Sequence, residues 1–205
     1  MEEGKHLIIN IGRQFGSGGK RVAEALSRKL GIPAYDSELL SAAAEQSGYS
    51  KDFFKKRDER KSVFTLSNIF STTNRYSGGE SYLNDNALFK IQSDVIREIA
   101  GKGPAIFVGR ASDYVLRDFE CLDVFITAPL EQRIKDVSER EGMSEEQARS
   151  HIAKQDKERE SYYNYLTFSH WGVASNYDLC IDSSLLGIDG TAEFIIEFAK
   201  RRGLL

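Results

Sequence analysis

The chain has 205 residues, of which 40% are hydrophobic and 29% are charged, the composition of an ordinary globular protein. At this length we expect one domain with insertions, large enough to remove about 70% of the unfolded surface from water. The net charge of −3 excludes a strongly basic nucleic-acid coat. The two cysteines, Cys121 and Cys180, lie in apolar segments. We therefore expect buried free thiols in a reducing compartment and no disulfide-built fold.

The segment that precedes the first apolar run, Met1–Lys5, is acidic. A signal peptide has a basic start and a longer apolar stretch, so none is predicted. No window of the sequence approaches the roughly 18 consecutive apolar residues that a membrane span needs. These features predict a soluble, cytoplasmic protein with no membrane or nucleic-acid partner.

The chain begins with the pattern of strand, glycine-rich turn and helix. Residues 6–11 form a short apolar run that is typical of a buried strand and stops at Gly12. Residues 12–19 carry the glycines of the turn. From Lys20 the apolar residues return at helical spacing until Gly31, and residues 32–35 suit a second short strand.

The middle of the chain has weaker signals. Helical patterns are predicted over residues 39–47 and 51–60. Residues 71–86 have no apolar period and many turn residues, which predicts a mobile loop. Helical spacing resumes at Leu88 and continues to Ile99.

The second half alternates strands with helices. Short apolar runs predict three strands, at residues 104–108, 122–127 and 177–182. Helical patterns lie at residues 130–141, after the capping-box sequence that begins at Ser144, and at residues 188–201. Five strands that alternate with helices predict a three-layer α/β fold, a five-stranded parallel sheet with helices on both faces.

The most informative segment is the turn from Gly12 to Arg21. A turn between a strand and a helix N-terminus collects unpaired amide groups and the positive end of the helix dipole, and glycines let such a backbone approach an anion. Four glycines in eight residues exceed what a plain turn needs. We therefore predict phosphate binding by this segment, and the residues expected to take part are Gly12, Gln14, Gly16, Ser17, Gly18, Gly19, Lys20 and Arg21.

The segment departs from the usual P-loop pattern G-x-x-x-x-G-K-[ST]. If Gly18 is the last loop glycine, Gly19 stands at the lysine position and Lys20 at the hydroxyl position. If Gly19 is the last glycine, Lys20 is the lysine but Arg21 replaces Ser or Thr. In both registers the hydroxyl that helps to hold Mg²⁺ is missing, and Ser17 is the hydroxyl within the loop.

Asp36 and Ser37 follow the second predicted strand. Ligands of an open parallel sheet bind beyond the carboxyl ends of its strands, so Asp36 is expected beside the glycine loop. There it would orient an acceptor hydroxyl or hold metal-bound water. An N-cap of the next helix is an alternative role, compatible with the first.

Arg110 follows the third predicted strand in the same way. A guanidinium at this edge suits two-point contact with a phosphate. The alternative is an ion pair with Asp113, three residues further on.

A charged run at residues 154–159 precedes three tyrosines. Lys154 and Lys157 share one helix face, and Asp156 and Arg159 share another. Three cations in six residues suit closure over a polyphosphate, whereas a solvated helix face is the usual explanation of such a run.

With these segments in place, the chain resembles the cytidylate kinase-like family of P-loop proteins. The resemblance is carried, in order, by GRQFGSGG (12–19), YD (35–36), VGRASDYVL (108–116), KQDKERESYY (154–163), WG (171–172) and YDLCIDSS (177–184). Two positions depart from true cytidylate kinases. Asp36-Ser37 is followed by neither the glycine nor the arginine of those enzymes, and their G-R-D becomes Gly109-Arg110-Ala111. Both departures fall on the acceptor side.

The resemblance implies a nucleoside monophosphate kinase fold in one domain. Its core would comprise residues 5–40, 88–143 and 176–203, with an acceptor-binding insertion at about 41–87 and a lid at about 144–175. The acceptor would be bound by Asp36, Ser37, Arg110, Asp113, Asp156 and Arg159. Lys20, Arg110, Lys154, Lys157 and Arg159 would oppose the charge that develops during transfer.

The sequence thus predicts a kinase that uses ATP and Mg²⁺ to phosphorylate a small acceptor, most simply a nucleoside monophosphate. Two alternatives remain open at this point. The missing Ser or Thr of the loop favours a nucleotide-binding regulator with little turnover. The altered acceptor side favours a kinase of a non-nucleotide small molecule.

Overall fold

The computed structural model describes residues 6–40 and 81–205. Five strands are present in these ranges: β1 (Ile8–Arg13), β2 (Ala34–Tyr35), β3 (Ala105–Val108), β4 (Cys121–Thr127) and β5 (Leu179–Asp182). The helices of the same ranges are α1 (Gly19–Leu30), α2 (Ser81–Lys102), α3 (Ser112–Val115), α4 (Leu130–Glu141), α5 (Glu145–Thr167) and α6 (Ser183–Arg201). A short 3₁₀ turn covers Ala174–Asn176, and a further helical turn begins at residue 37.

The strands form one sheet in the order β2-β3-β1-β4-β5, and every pairing is parallel. The predicted five-stranded parallel sheet is therefore confirmed. The chain leaves β1 toward β2 and β3 on one side and later returns to β4 and β5 on the other. This reversal opens a crevice beyond the carboxyl end of β1, which is where ligands bind in such sheets.

The central strand β1 is buried on both faces, as its continuous apolar run indicates. Ile9 and Ile11 pack in a cluster with α1 and α6. Ile8 points the other way and packs with Phe107 and with α2. The helices thus cover both faces of the sheet and fix the direction in which β1 delivers the glycine loop.

Several predicted boundaries are confirmed. Helix α4 spans Leu130–Glu141, as the pattern predicts. The capping box at the start of α5 is complete, because the Ser144 hydroxyl accepts from the amide of Gln147 (3.3 Å) and the Gln147 side chain accepts from the amide of Ser144 (2.9 Å). Helix α6 begins at Ser183 and not at residue 188, because Asp182 caps an extra turn before the helix breaks at Gly187.

The predicted loop over residues 71–86 is wrong for its last part. Residues 81–86 are helical and form the beginning of α2. Once the apolar stretch after Leu88 has nucleated a helix, each further residue adds one hydrogen bond at little cost, so turn-forming residues are drawn into it. Residues 41–80 lie outside the described residues. They hold most of the predicted insertion, the predicted helix at 51–60 and all but the first two residues of the predicted helix at 39–47.

The expectation of two buried thiols is also wrong in part. Cys121 is partly buried, and burial raises the pKa of its thiol to about 12. Cys180 is exposed. It lies on the edge strand β5, where Leu179 and Ile181 face the core and the alternate face is uncovered.

Within residues 6–40 and 81–205, no helix has the length and apolar character to cross a bilayer.

One buried carboxyl makes the stability of this fold depend on pH. Asp123, in the middle of β4, accepts a hydrogen bond from the side-chain amide of Asn10 (2.8 Å). Burial raises the pKa of Asp123 to about 6, with Asp113 and Asp178 acting in the same direction. The folded protein therefore holds this proton more tightly than the unfolded chain. The resulting stabilisation is full below about pH 4 and is lost as the pH rises through about 6.

We expect Asp123→Asn to remove this loss, because asparagine is uncharged and still accepts from Asn10. At pH 8 the variant should exceed the wild type by on the order of 2 kcal/mol in the free energy of unfolding, and near pH 4 the two should agree. Urea denaturation across this pH range measures the difference. Asp118→Asn, at an exposed carboxyl, is the control. Equal pH dependence in all three proteins would contradict the argument.

Candidate functional site

The glycine loop lies between Arg13, the last residue of β1, and Gly19, the first residue of α1. Gly18 is the N-cap of α1, has φ +75° and has no side chain to satisfy the helix amides. Among the described residues, the amides of Gly16, Gly18 and Gly19 have no hydrogen-bond acceptor. The positive end of the α1 dipole therefore faces the crevice with open donors, which is the arrangement that binds anions.

The inner side of the loop is fixed by hydroxyl groups. The Ser17 hydroxyl donates to the carbonyls of Gln14 (2.9 Å) and Ile126 (3.0 Å) and is buried. The Ser183 hydroxyl donates to the carbonyl of Ser17 (2.6 Å). The Gln14 side chain turns back to Thr127 and to the amide of Ala128. The side chains of Ser17 and Gln14 thus hold the loop in place, and neither points into the crevice as a phosphate donor would.

A charged pair ties the loop to the two helices behind it. Asp156 of α5 accepts a hydrogen bond from the amide of Phe15 (2.7 Å) and forms an ion pair with Arg133 of α4 (2.6 Å). Arg133 is buried and also donates to the carbonyls of Phe15 (3.2 Å) and Ala128 (3.1 Å). The Asp156 side chain, which the sequence assigns to acceptor binding, therefore contacts the glycine loop in this structure.

Two glycines of this segment, Gly12 and Gly16, allow close packing. A Cβ on Gly12 would lie 2.8 Å from the Phe125 ring, and a Cβ on Gly16 would lie 2.9 Å from Val137. Gly12 is also a residue of β1 and lies before the loop itself. These positions explain why the segment is glycine-rich beyond the needs of the turn.

Both cations of the first turn of α1 are paired with carboxylates. Lys20 Nζ lies 2.7 Å from Asp36 Oδ2, and this hydrogen bond raises the pKa of Lys20. Arg21 pairs with Asp136, which also pairs with Arg140 (2.9 Å). Lys20 therefore points toward the end of β2, whereas Arg21 points toward α4.

Asp36 caps the next helix, which is one of the two roles that the sequence leaves open for it, and it also lies beside the glycine loop as expected. Its Oδ1 accepts from the amides of Glu38 and Leu39, each at 3.1 Å, and caps the helical turn that begins at Ser37. Its Oδ2 faces Lys20 beside the crevice. Burial raises the pKa of Asp36, but Lys20 and the two amides outweigh it, so the net pKa is lowered and the carboxylate is charged at neutral pH.

A cleft of about 300 Å³ opens next to this pair. Its walls come from α1, β2 and the turn after β2. The lining residues are Lys20, Ala23, Glu24, Ala34, Asp36, Glu38, Leu39 and Val108. The cleft adjoins the amino end of α1 and is large enough for part of a small acceptor.

The segment after β3 is strained at the same edge of the sheet. Gly109, Arg110 and Ala111 all have positive φ values, of 75°, 60° and 52°. For the two residues that are not glycine this costs on the order of 1–2 kcal/mol each, and such strain clusters at functional sites.

The Asp113 carboxyl accepts from the Tyr163 hydroxyl (2.7 Å), and burial raises the pKa of Asp113. The guanidinium of Arg110 lies 5.7 Å from the ring centre of Tyr162.

The charged run of α5 divides between two faces, as the helical spacing predicts. Arg159 is turned inward, donates to the carbonyl of Arg13 (3.0 Å) and lies 5.2 Å from the centre of the Phe15 ring. Burial lowers the pKa of Arg159 to about 10. Lys154 and Lys157 are exposed, and Lys157 pairs with Glu160 (3.0 Å). The structure brings Arg159 to the loop and leaves the two lysines on the outer face.

Sequence reasoning missed two residues of this region. Arg13 lies in the predicted glycine-rich turn but is not among the residues expected to bind phosphate, and only a count back from Gly18 would have drawn attention to it. Arg133 has no sequence signal beyond its place in an amphipathic helix. Burial lowers the pKa of Arg13, and the charges of Arg159 and Arg110 lower it further. The guanidinium groups of Arg110 and Arg159 are therefore near enough to that of Arg13 for their charges to act on it.

A metal ion has few protein ligands available here. Within residues 6–40 and 81–205, no three His, Cys, Asp or Glu side chains are grouped as a metal site would need. Asp36 is the charged carboxylate that flanks the first turn of α1 at the crevice. Mg²⁺ takes many of its ligands from substrate phosphates and water and needs only one or two carboxylates. Asp36 fits this limited requirement, and Glu24 and Glu38 line the same cleft.

Comparisons with known proteins agree on one family. The sequence pattern of the cytidylate kinase-like family matches residues 8–185. A cytidylate kinase from Methanopyrus kandleri is 26% identical over 196 residues, which cover 90% of this chain and 89% of that protein.

Solved structures give the same fold. An uncharacterized protein from Eubacterium ventriosum is 29% identical, with a TM-score of 0.70 over 95% of this chain and 98% of that chain. A shikimate kinase from Bacteroides thetaiotaomicron is 12% identical, with a TM-score of 0.52 over 95% and 98% of the two chains. The second likeness is one of fold alone.

The buried pair behind the loop yields a stability prediction. Asp156→Ala leaves the buried Arg133 guanidinium without its carboxylate, so we expect a loss of about 3 kcal/mol in the free energy of unfolding. Lys157→Ala, one residue away at an exposed pair, should change it by less than about 0.5 kcal/mol. Urea denaturation at neutral pH measures both variants. Equal losses would show that Asp156 is a surface charge like its neighbour.

Proposed function

The chain belongs to the cytidylate kinase-like family, and from this premise we propose that it is an ATP-dependent phosphotransferase whose acceptor is a nucleoside monophosphate. The observation that carries the proposal is the set of open amides of Gly16, Gly18 and Gly19 at the amino end of α1. Backbone donors at a helix N-terminus suit a polyphosphate, because they supply positive potential without blocking the ligand.

In this proposal the glycine loop holds the phosphates of ATP. The γ-phosphoryl group passes from the β-phosphate oxygen of ATP to an oxygen of the acceptor phosphate, so one P–O bond breaks as another forms. Such transfer needs positioning and electrostatic stabilisation more than covalent participation of the protein. Lys20, Arg110 and Arg159 are the cations proposed to oppose the developing charge.

Mg²⁺ would accompany the nucleotide and neutralise charge on its phosphates. Asp36 would hold it, directly or through water. The missing loop hydroxyl leaves this ion more dependent on the nucleotide than in a P-loop of the usual pattern.

The acceptor is proposed to enter the cleft beside Asp36 and to be bound by Ser37, Arg110 and Asp113 as well. Arg110 suits a phosphate, because a guanidinium forms two parallel hydrogen bonds with it. Lys154, Lys157 and Arg159 belong to a proposed lid of residues 144–175. Closure of such a lid excludes water and suppresses hydrolysis of ATP.

A second candidate function rests on a specific observation. In both registers of the loop the Ser or Thr that usually helps to hold Mg²⁺ is missing, which favours a protein that binds nucleotide with little turnover. A regulator of this kind would use the same loop and differ only in the absence of efficient transfer.

The test is an acceptor panel with ATP and Mg²⁺, in which CMP, UMP, AMP, GMP and small alcohols are compared for acceptor-dependent formation of ADP. A titration with ATP alone runs beside it. Phosphorylation of a nucleoside monophosphate supports the proposal. Binding of ATP without transfer to any acceptor supports the regulator, and transfer only to an alcohol supports the non-nucleotide kinase. Binding of no nucleotide overturns all three.

The variant Arg110→Ala should act on the acceptor. Loss of charged hydrogen bonds to the acceptor phosphate should raise the KM for the acceptor by about tenfold or more. The KM for ATP should stay within about twofold of the wild-type value. Arg117→Ala is a matched control, because Arg117 is an exposed arginine seven residues away that bonds its own segment. A change confined to ATP would show that Arg110 belongs to the donor side.

A further inference from the structure

The structure fixes the register of the glycine loop that the sequence leaves open. Gly18 has the positive φ of the last loop glycine, and α1 begins at Gly19. In the pattern G-x-x-x-x-G-K-[ST], Gly19 therefore stands at the lysine position. The first glycine of the pattern falls five residues before Gly18, at Arg13. The chain thus has an arginine where the pattern has glycine, and a glycine where it has lysine.

The two exchanged positions face each other in space. A Cβ built on Gly19 would lie 2.5 Å from the Cβ of Arg13, closer than two side chains tolerate. Only one of the two positions can therefore carry a side chain. With arginine at position 13 and glycine at position 19, one long cationic side chain still occupies this space. It extends from the end of β1 and not from the first residue of α1.

The cations next to Gly19 in the sequence are held elsewhere. Lys20 pairs with Asp36 at the end of β2, and Arg21 pairs with Asp136 of α4. Arg13 differs from both, because its guanidinium has no ion pair or hydrogen bond among the described residues. It reaches across the sheet edge to β3, where a Cβ on Gly109 would lie 1.9 Å from Nη1.

We propose that Arg13 supplies the cation that a P-loop of the usual pattern takes from its lysine, and that its guanidinium binds the outer phosphates of the nucleotide. The proposal rests on the proposed function and names a donor-side residue for it. Its surroundings support this role. Arg110 and Arg159 lie close enough to Arg13 to disfavour its charge, and Asp36 opposes them only in part, so a bound polyphosphate would relieve the remaining repulsion. Gly109 has no side chain, and the Arg13 guanidinium occupies the space where its Cβ would lie.

The first experiment measures binding of ATP and AMP, each with Mg²⁺, by calorimetry. We expect Arg13→Ala to weaken ATP binding by about 10-fold to 100-fold, because charged hydrogen bonds to the outer phosphates are lost, and to change AMP binding by less than about twofold. Arg13→Lys should recover part of the loss. Lys20→Ala should weaken ATP binding less than Arg13→Ala does, and Arg28→Ala, at an exposed arginine on the far end of α1, should leave it unchanged.

The second experiment restores the usual pattern. Gly19→Lys alone should destabilise the protein, because the new Cβ meets that of Arg13. Arg13→Gly alone should lose ATP affinity as Arg13→Ala does. The double variant R13G/G19K removes the clash and returns a lysine to its usual place, so it should bind ATP at least about tenfold more tightly than R13G. Thermal unfolding of each variant separates loss of folding from loss of binding.

The outcomes distinguish the two claims. If the wild type binds ATP and Arg13→Ala binds it within twofold, or loses ATP and AMP equally, the role of Arg13 is overturned and the proposed function stands. A folded double variant that is no better than R13G also overturns it. If the wild type binds no nucleotide, the proposed function and the role of Arg13 fall together.

Discussion

The interaction on which the site depends is the ion pair between Arg133 and Asp156. It is buried behind the glycine loop, and both partners also bond the backbone of Phe15. Through it, α4 and α5 set the path of the loop between β1 and α1. A loop of glycines has little conformational preference of its own, so its shape has to be imposed by neighbours. The open amides of Gly16, Gly18 and Gly19 follow from this constraint.

The pair also connects the loop to the proposed lid. Asp156 and Arg159 lie on one face of α5, and both contact the loop, the first through the amide of Phe15 and the second through the carbonyl of Arg13. Any movement of α5 that separates it from the body would break these contacts. The middle of α5 is therefore held against the core, and a closing motion would have to come from side chains on its exposed face or from the residues that follow α5.

Some structural elements of this protein are predicted well from its sequence, and others are not. Strong periodic or capping signals predict α4 and the start of α5, because such signals act within a few residues of one another. The start of α2 is missed, since the turn residues at 81–86 join a helix that is nucleated further along the chain. The exposure of Cys180 is missed as well, because it depends on β5 being the edge strand, and strand order is a property of the whole sheet.

The same distinction holds for the site. The motifs at Gly12–Arg21, Asp36 and Arg110 are found from sequence, because the carboxyl ends of parallel strands must meet at one edge. The register of the loop cannot be found from sequence, because both registers satisfy the spacing of the glycines. The positive φ of Gly18 decides between them. The buried Arg133 is not found either, because an arginine in a charged helix is usually solvated.

The arrangement of charge at the loop follows from where the carboxylates lie. Asp36 and Asp136 flank the first turn of α1 on opposite sides and neutralise Lys20 and Arg21. With its neighbours so paired, Arg13 is the loop cation that forms no direct ion pair with a described carboxylate, and the charges of Arg110 and Arg159 act against its own while Asp36 compensates them only in part. A site of this kind is costly while empty and is relieved by an anion. Because binding of an anion removes this cost, the affinity for polyphosphate depends on the charged residues around the loop as well as on its glycines.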